Sequence, residues 1–534
     1  MRISIIVLVR GTTEEVASWE YEKDQASQPF IRGSDQKWRQ PEDFWRWLAL
    51  DINQRGCQSK HLPIDVFLIL RGNLSENIYD PGPLVKIVSQ AHEYSWGGNI
   101  YIVWDQKTAA AFDPLYRGNE TVLKKWFVML VEAGVTDLIE IKKKDRLTES
   151  DEKKILYERA LESAERRESL RKLVSRNGWR VVLRDGASFL DSFVQRLSSE
   201  LPLPEGENVA VFYDQRPPRG WSQLRERARE YDLGGKLFVA ALSRSNPKDM
   251  RDLEELWEQE WPGLKLFVFK GIFEWLYAFV RLARSYDAPA EPADLTHDDI
   301  IWVTPPKGKS FDAEPDGGDV RLLVTSAFAY RPAPGDSVLM FGERPLSEAE
   351  ENEMGHCLDA AQEIGDVIRH LPFHVEVQVL HCITCERLPD FLEDKLFTAW
   401  LHLGHGDERG LHEEHAEQSA SSQRWLDSFS NYGRSLELVI FSACESAGLA
   451  CSFAESGLTR VAVGFENSVL TDATRKFSGK VMPVALRGGD RQEAILQAFL
   501  KAGIGLRRRS YEEDGEDKYY SDAVPKAFAV KLRP

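Results

Sequence analysis

The chain has few cysteines and no long apolar segment, and both absences limit the class of protein to which it can belong. Six cysteines are spread over 534 residues, too scattered for the disulfide framework of a small secreted domain. No run of about 18 apolar residues occurs, so we expect no membrane-spanning helix. The opening MRISIIVLVRGTTEE lacks the cleavage site of a secretory signal. We therefore expect a cytoplasmic protein whose cysteines act as thiols, thiolates or metal ligands.

Positively charged residues are also fewer than negatively charged ones. Lys and Arg total 68 against 85 Asp and Glu, which gives a net charge of −17. Such a field repels polyanions and argues against duplex nucleic acid as a partner, although a local basic pocket for a small anion is compatible with it. The sequence contains neither a GxxxxGK[ST] phosphate loop nor tetratricopeptide repeats, which disfavours an NTPase motor and a repeat scaffold.

The length predicts more than one domain, because a single core rarely extends over so many residues. Pro, Gly and Asp crowd the stretch from 286 to 318 around the short apolar segment IIWV. We place a linker at 291–317, between an N-terminal region 1–290 and a C-terminal domain 318–534. Thirteen of the 15 tryptophans precede residue 303, and eight of the 11 histidines lie between His356 and His415. The two parts therefore differ in composition as well as in position.

Apolar runs of strand length alternate with helix-like segments in both parts, which predicts an α/β fold with mostly parallel sheets. In the N-terminal region, NIYIVWDQ from Asn99 aligns without gaps to NVAVFYDQ from Asn208. The match suggests a duplicated, Rossmann-like unit over about 1–145 and 178–290. Two unrelated buried strands can also resemble each other over eight positions, and that alternative stays open. In either case the reactive groups belong at the C-terminal ends of the strands.

Two strand ends of the C-terminal domain carry such groups. The strand LFTAWLHL runs into GHGD, which contains His405, and the strand LELVIF runs into SACES, which contains Cys444. One crossover helix between them would place these strands side by side and parallel. An imidazole beside a thiol accepts its proton and creates a nucleophile. The amides of Gly406 and Cys444 would then point at the oxyanion of a tetrahedral intermediate.

The pair HLGHG and LVIFSACESAG resembles the CHAT family of caspase-like cysteine peptidases, and the resemblance covers about 318–534. It extends to the strand 457–464, to the helix that begins near Asp472 and to the closing strand AFAVKL. It implies a caspase-like domain in which Cys444 is the nucleophile, His405 is the general base and acid, and no cofactor is required. The family more often has one further residue between the strand histidine and the catalytic one. His402 is therefore left without an assigned role, and packing beneath the site is the alternative for it.

Neighbouring residues permit other interpretations of the same region. Asp407, Glu445 and Asp472 would select basic side chains in a substrate, or would cap helices and face solvent. The ligand types of a Cys₂His₂ zinc site are present in Cys382, Cys385 and the histidine pairs His402/His405 and His412/His415. Their spacing, however, is not that of a zinc finger. We expect no metal.

Some CHAT peptidases of bacterial antiviral defence carry a SAVED domain, a fusion of two CARF-like units that senses cyclic oligonucleotides, and this chain is similar in layout. Arg10, Arg71 and Arg184 each end an apolar strand near a glycine, a chemistry that suits phosphate. The same dipeptides are ordinary turns, and a protein partner for the N-terminal region is equally open. Ligand binding would drive homo-oligomers or filaments if it produced head-to-tail packing.

These observations predict a signal-activated cysteine endopeptidase that cleaves specific proteins, such as another effector or a zymogen. The N-terminal region would bind the activator, a cyclic oligonucleotide. The alternative is a noncatalytic caspase-like scaffold in which the His/Cys pair is vestigial.

Overall fold

The computed structural model describes most of the chain. The described residues are 2–22, 41–58, 62–71, 82–105, 120–141, 149–173, 179–184, 208–213, 237–242, 265–269, 272–283, 295–306, 320–331, 345–372, 375–392, 396–407, 409–413, 419–429, 431–432, 434–466, 471–486, 491–502, 509–513, 516–520 and 525–531.

The first sheet has five strands in the order β2-β1-β3-β4-β5. They are β1 (Arg2–Val9), β2 (Glu15–Glu22), β3 (Ile64–Arg71), β4 (Asn99–Asp105) and β5 (Asp137–Ile141), with helices α1 (Pro41–Gln58), α2 (Gly82–Tyr94), α3 (Glu120–Ala133) and α4 (Glu149–Leu173). The strands β3, β4 and β5 are parallel, as the alternating pattern predicts, whereas β1 is antiparallel to both β2 and β3. Strand β2 was missed because its sequence, EVASWEYE, is rich in carboxylates.

A second sheet of four parallel strands follows in the order β6-β7-β8-β9. It consists of β6 (Trp179–Arg184), β7 (Asn208–Tyr213), β8 (Leu237–Leu242) and β9 (Lys265–Phe269), and the helix α5 (Ile272–Ala283) comes after it. The two segments that align in sequence form β4 and β7, which begin at Asn99 and Asn208. Each lies between two parallel neighbours. Duplication of the whole unit remains a prediction.

The third sheet has seven strands in the order β10-β21-β18-β17-β13-β11-β12. They are β10 (Ile300–Val303), β11 (Val320–Ser326), β12 (Val375–His381), β13 (Ala399–Leu403), β17 (Leu436–Ser442), β18 (Thr459–Phe465) and β21 (Pro525–Val530). The strands from β12 to β18 run parallel, and β21 is antiparallel to β18. The predicted linker 291–317 therefore contains a strand, because the apolar segment IIWV pairs with β21 at the edge of this sheet.

Helices and two small sheets surround the third sheet. The helices are α6 (Glu348–His370), α7 (Leu388–Leu392), α8 (Ser422–Ser428), α9 (Ala447–Glu455), α10 (Thr471–Ala485) and α11 (Arg491–Ala502). One small sheet joins β14 (Gly406–Asp407), β15 (Gly410–His412) and β16 (Ser419–Ser421), and the other joins β19 (Arg509–Glu513) to β20 (Glu516–Tyr520). Helix α6 begins with a capping box in which Ser347 and Glu350 bond each other's backbone amides. The fold is thus mixed α/β, as predicted.

Helix α1 connects the first sheet to the third. Asn53, fully buried on α1, donates to the carbonyl of Phe328 (2.9 Å) and accepts from the amide of Tyr330 (3.0 Å) in the segment after β11. A disulfide joins Cys57 of α1 to Cys382 just beyond β12, with a Cα–Cα distance of 5.1 Å. The expectation that every cysteine is a thiol or a metal ligand was therefore wrong. Residues 325 positions apart give no local sign that folding brings them together.

No helix within the described ranges is long and apolar enough to cross a membrane.

Candidate active site

The two predicted strand ends lie next to each other. Strands β13 and β17 are parallel neighbours, and their last residues, Leu403 and Ser442, are paired in register. His405 and Cys444 each follow two residues later, on loops that leave the same edge of the sheet. The structure therefore brings the predicted base and the predicted nucleophile to equivalent positions on adjacent loops.

The loops also touch. The amide of Gly404 donates to the carbonyl of Ser442 at 3.3 Å. Gly406 packs so closely on the carbonyl of Cys444 that a Cβ at this position would overlap the oxygen. Glycine is thus required by close approach of two backbones, and the approach fixes the separation of the His405 and Cys444 loops.

A sharp turn presents Cys444. Glu445, the next residue, has a φ of 51°, a left-handed conformation that is uncommon for a residue with a side chain. The Ser446 hydroxyl holds the turn, since it donates to the carbonyl of Ala443 (2.7 Å) and accepts from the amide of Phe465 (3.1 Å) on β18. Helix α9 begins immediately afterwards. The resulting strand, turn and helix leave the Cys444 thiol half-buried at the sheet edge.

His405 sits in a group of aromatic rings. The ring of Phe328 meets it edge to face at 4.9 Å, the ring of His356 from α6 does so at 4.6 Å, and the ring of His412 lies 6.2 Å away. Burial, together with smaller contributions from the neighbouring His356 and His412, lowers the pKa of His405 to about 4. The imidazole is therefore neutral near pH 7 and can accept a proton.

Of the three carboxylates predicted near the substrate, Asp407 is best defined. It accepts from the amides of Arg409 (2.8 Å) and Gly410 (3.2 Å), and its other oxygen lies 3.2 Å from Nε2 of His412. Slight burial acts to raise the pKa of Asp407, but these hydrogen bonds outweigh that effect and lower the pKa below its usual value. Its oxygens are thus engaged within their own turn, which favours the structural alternative. Glu445 is half-buried at the turn, and Asp472 is the second residue of α10, with its side chain outside the described atoms.

His402 lies in the core beneath the site. Its Nδ1 is 2.9 Å from the Thr325 hydroxyl, which also accepts from the indole of Trp400 at 2.8 Å. Complete burial lowers the pKa of His402 to about 3. His402 is therefore packed in the core beneath the site, as the alternative interpretation of this residue proposed. It does not lie on the loop that carries His405.

The residues of the zinc alternative do not converge. Cys382 is bonded to Cys57, Cys385 is buried with burial raising its pKa, and His415 lies outside the described residues. Across the described part of the chain, no three His, Cys, Asp or Glu side chains are grouped as metal ligands.

Two of the three arginines predicted to bind an activator are separated. Arg10 pairs with Asp65 (3.0 Å), and Arg71 pairs with Glu152 (2.6 Å) at the opposite end of the β1–β3 ladder. Arg184 ends β6, with its side chain outside the described atoms. Arg10 and Arg71 therefore do not form one site.

A buried carboxyl group lies beneath the site, and the sequence did not predict it. Glu363, on the inner face of α6, accepts from the hydroxyls of Ser442 (3.1 Å) and Thr474 (3.0 Å). Burial raises its pKa to about 7, opposed in part by hydroxyl hydrogen bonds. Its spacing from the apolar residues of α6 was a weak sign of burial, but nothing in the sequence pointed to Ser442 as its partner. Phe328 and His356 were missed for the same reason, because their contacts with His405 are tertiary.

No protein-family model matches this chain, and no curated protein matches its sequence.

Proposed function

We propose that this chain is a cysteine endopeptidase of the CHAT type, in which His405 activates Cys444. One observation carries the proposal: both residues lie two positions beyond paired ends of adjacent parallel strands, on loops whose backbones touch. A thiol and a neutral imidazole on facing loops are the minimum required for thiol acylation.

The chemistry follows from these positions. Neutral His405 takes the proton of the Cys444 thiol as its sulfur attacks the scissile carbonyl, and it returns a proton to the leaving amine. Water then hydrolyses the thioester, with His405 again accepting a proton. The amides of Gly406 and Cys444 stabilise the tetrahedral oxyanion. No metal or cofactor takes part in this proposal.

The N-terminal region, in this proposal, controls the peptidase. Its contact with the site supports that role, since Asn53 of α1 bonds the segment that carries Phe328, and Phe328 touches His405. The resemblance in layout to SAVED-linked CHAT proteins extends the proposal to cyclic oligonucleotide sensing in the cytoplasm during antiviral defence, with another effector or a zymogen as substrate.

Cleavage mapping tests the catalytic proposal. Full-length protein is incubated with a bacterial proteome, with and without a panel of cyclic oligonucleotides, and new N-termini are identified by mass spectrometry. We expect a defined set of cuts that Cys444→Ala reduces by about 10³-fold or more and His405→Gln by about 10²- to 10⁴-fold. Cys451→Ala is the matched control, because Cys451 lies on α9 beyond the turn and should leave cleavage unchanged.

Thiol labelling covers the case in which the true substrate is missing from the proteome. Four cysteines lie outside the disulfide, and burial raises the pKa of Cys357, Cys385 and Cys451. Cys444 should react fastest with iodoacetamide and should slow in His405→Gln. Equal reactivity of Cys444 and Cys451, together with no cleavage, would instead support the noncatalytic scaffold.

A further inference from the structure

We infer that a cavity between the first and third sheets binds a small anion that carries phosphate. Its volume is about 390 Å³, within the range of small-molecule sites. It is bounded by the turns that precede β4 and β5, by α4 and α5, by the end of α6 and by the first residues of β12. This position is remote from the edge at which β13 and β17 end. The inference does not rest on peptidase activity.

The cavity concentrates positive charge in a protein of net charge −17. Five arginines line it: Arg10, Arg167, Arg171, Arg281 and Arg369. The one carboxylate among its described lining residues, Glu376, is bonded at 2.8 Å to Arg321, which is not part of the wall. Five cations therefore face one space with little negative charge in its lining.

Three of the five are matched by acids just outside the wall. Arg10 pairs with Asp65 at 3.0 Å, Arg171 pairs with Glu168, and Arg369 lies 3.9 Å from Asp366. These ion pairs balance part of the positive charge in the cavity. The two remaining guanidinium groups, of Arg167 and Arg281, are not in ion pairs of this kind.

Among the described residues, Arg167 and Arg281 form hydrogen bonds to neutral acceptors alone, although the carboxylates of Asp65 and Asp137 act on Arg167 from beyond hydrogen-bond distance. Arg167 donates to the Tyr101 hydroxyl at 3.0 Å and to the Asn99 amide oxygen at 3.3 Å. Arg281 donates through Nη1 to the carbonyl of Ile368 at 3.1 Å, near the end of α6, while its buried Nε has no hydrogen-bond partner in the described part of the chain. Neither forms an ion pair with a described carboxylate. Burying a guanidinium group that lacks an ion-pair partner, or a donor that lacks an acceptor, costs free energy. A bound anion would supply both the negative charge and the acceptor.

A charge of about −2 would balance these two groups, and a phosphate monoester carries roughly that charge at pH 7. Planar guanidinium groups also match the oxygens of phosphate in a bidentate manner. The ring of Tyr277 lines the same space, with the Arg281 guanidinium 6.0 Å from its centre. The shared chemistry is therefore phosphate, whether it is free or part of a nucleotide.

Isothermal titration of the full-length protein with inorganic pyrophosphate, and separately with ATP, tests the inference. We expect saturable binding of pyrophosphate that falls at least tenfold in Arg167→Gln and in Arg281→Gln. Arg159→Gln is the matched control, because Arg159 lies on the same helix and pairs with Glu162 outside the cavity. Tighter binding of ATP than of pyrophosphate would identify a nucleotide as the source of the phosphate, and equal binding would identify the phosphate groups alone.

A measurement on the wild type keeps the test decisive if either variant fails to fold. Phenylglyoxal modifies accessible guanidinium groups, and pyrophosphate should slow its reaction with Arg167 and Arg281 but not with Arg159. Absence of pyrophosphate binding, or binding that all three variants retain, would overturn the inference.

Discussion

At the scale of single residues, Glu363 is a carboxyl group whose buried environment opposes its ionised form. A carboxyl group enclosed by α6, α10 and the end of β17 is easier to keep neutral than ionised, and burial accordingly raises its pKa to about 7. It bonds Ser442, two residues before Cys444, so its protonation is linked to the strand that delivers the thiol.

The pH dependence of stability should report this group. Below the unfolded pKa of about 4.5, Glu363 is protonated in both states, but between pH 4.5 and 7 only the folded state holds the proton. The free energy of unfolding should therefore fall as pH rises through this window, by roughly 3 kcal/mol in all. Urea unfolding at pH 5 and at pH 8 measures the difference, and Glu363→Gln should remove most of it. A slope unchanged in that variant would assign the effect to other groups.

At the scale of structural elements, the site depends on the contact between the β13 and β17 loops. Gly406→Ala places a methyl group against the carbonyl of Cys444, so one backbone must move. A displacement of about 1 Å at a reacting group costs about 100-fold in rate, and we expect a loss of that size in peptide cleavage. Gly448→Ala on α9 is the control, because its added Cβ meets nothing within 4 Å. Equal activity of the two variants would mean that the loop contact does not position the reacting groups.

The sequence predicted these elements unevenly. The buried strands β13 and β17 were recognisable because each is a continuous apolar run that ends in polar residues, and their adjacency followed from the crossover rule. Strand β2 was not predicted because its carboxylate-rich sequence lacks the pattern of a buried strand, although its partner β1 directly precedes it. The pairing of β10 with β21 was not predicted because the two strands are far apart in the sequence. The same limit hid Phe328 and His356, whose role as neighbours of His405 depends on tertiary packing.

At the scale of the whole molecule, α6 spans the distance between the arginine-lined cavity and the candidate active site. Arg369 at its C-terminal end lines the cavity, Glu363 bonds the end of β17, and His356 touches His405. A helix is a rigid element, so a shift at one end displaces the other. Helix α6 therefore contacts both the arginine-lined cavity and the candidate active site.

The disulfide between Cys57 and Cys382 closes a covalent loop of more than three hundred residues. A backbone cut anywhere between those two positions would open the loop without releasing a fragment. Protein that trypsin has cut once between Cys57 and Cys382 should therefore run as a single species on a gel without reductant and separate into two pieces when dithiothreitol is added. In Cys57→Ser the same cuts should separate the products under both conditions. Nicked protein would in this way keep its two halves tethered for as long as its surroundings stay oxidising, and would lose that link in a reducing compartment.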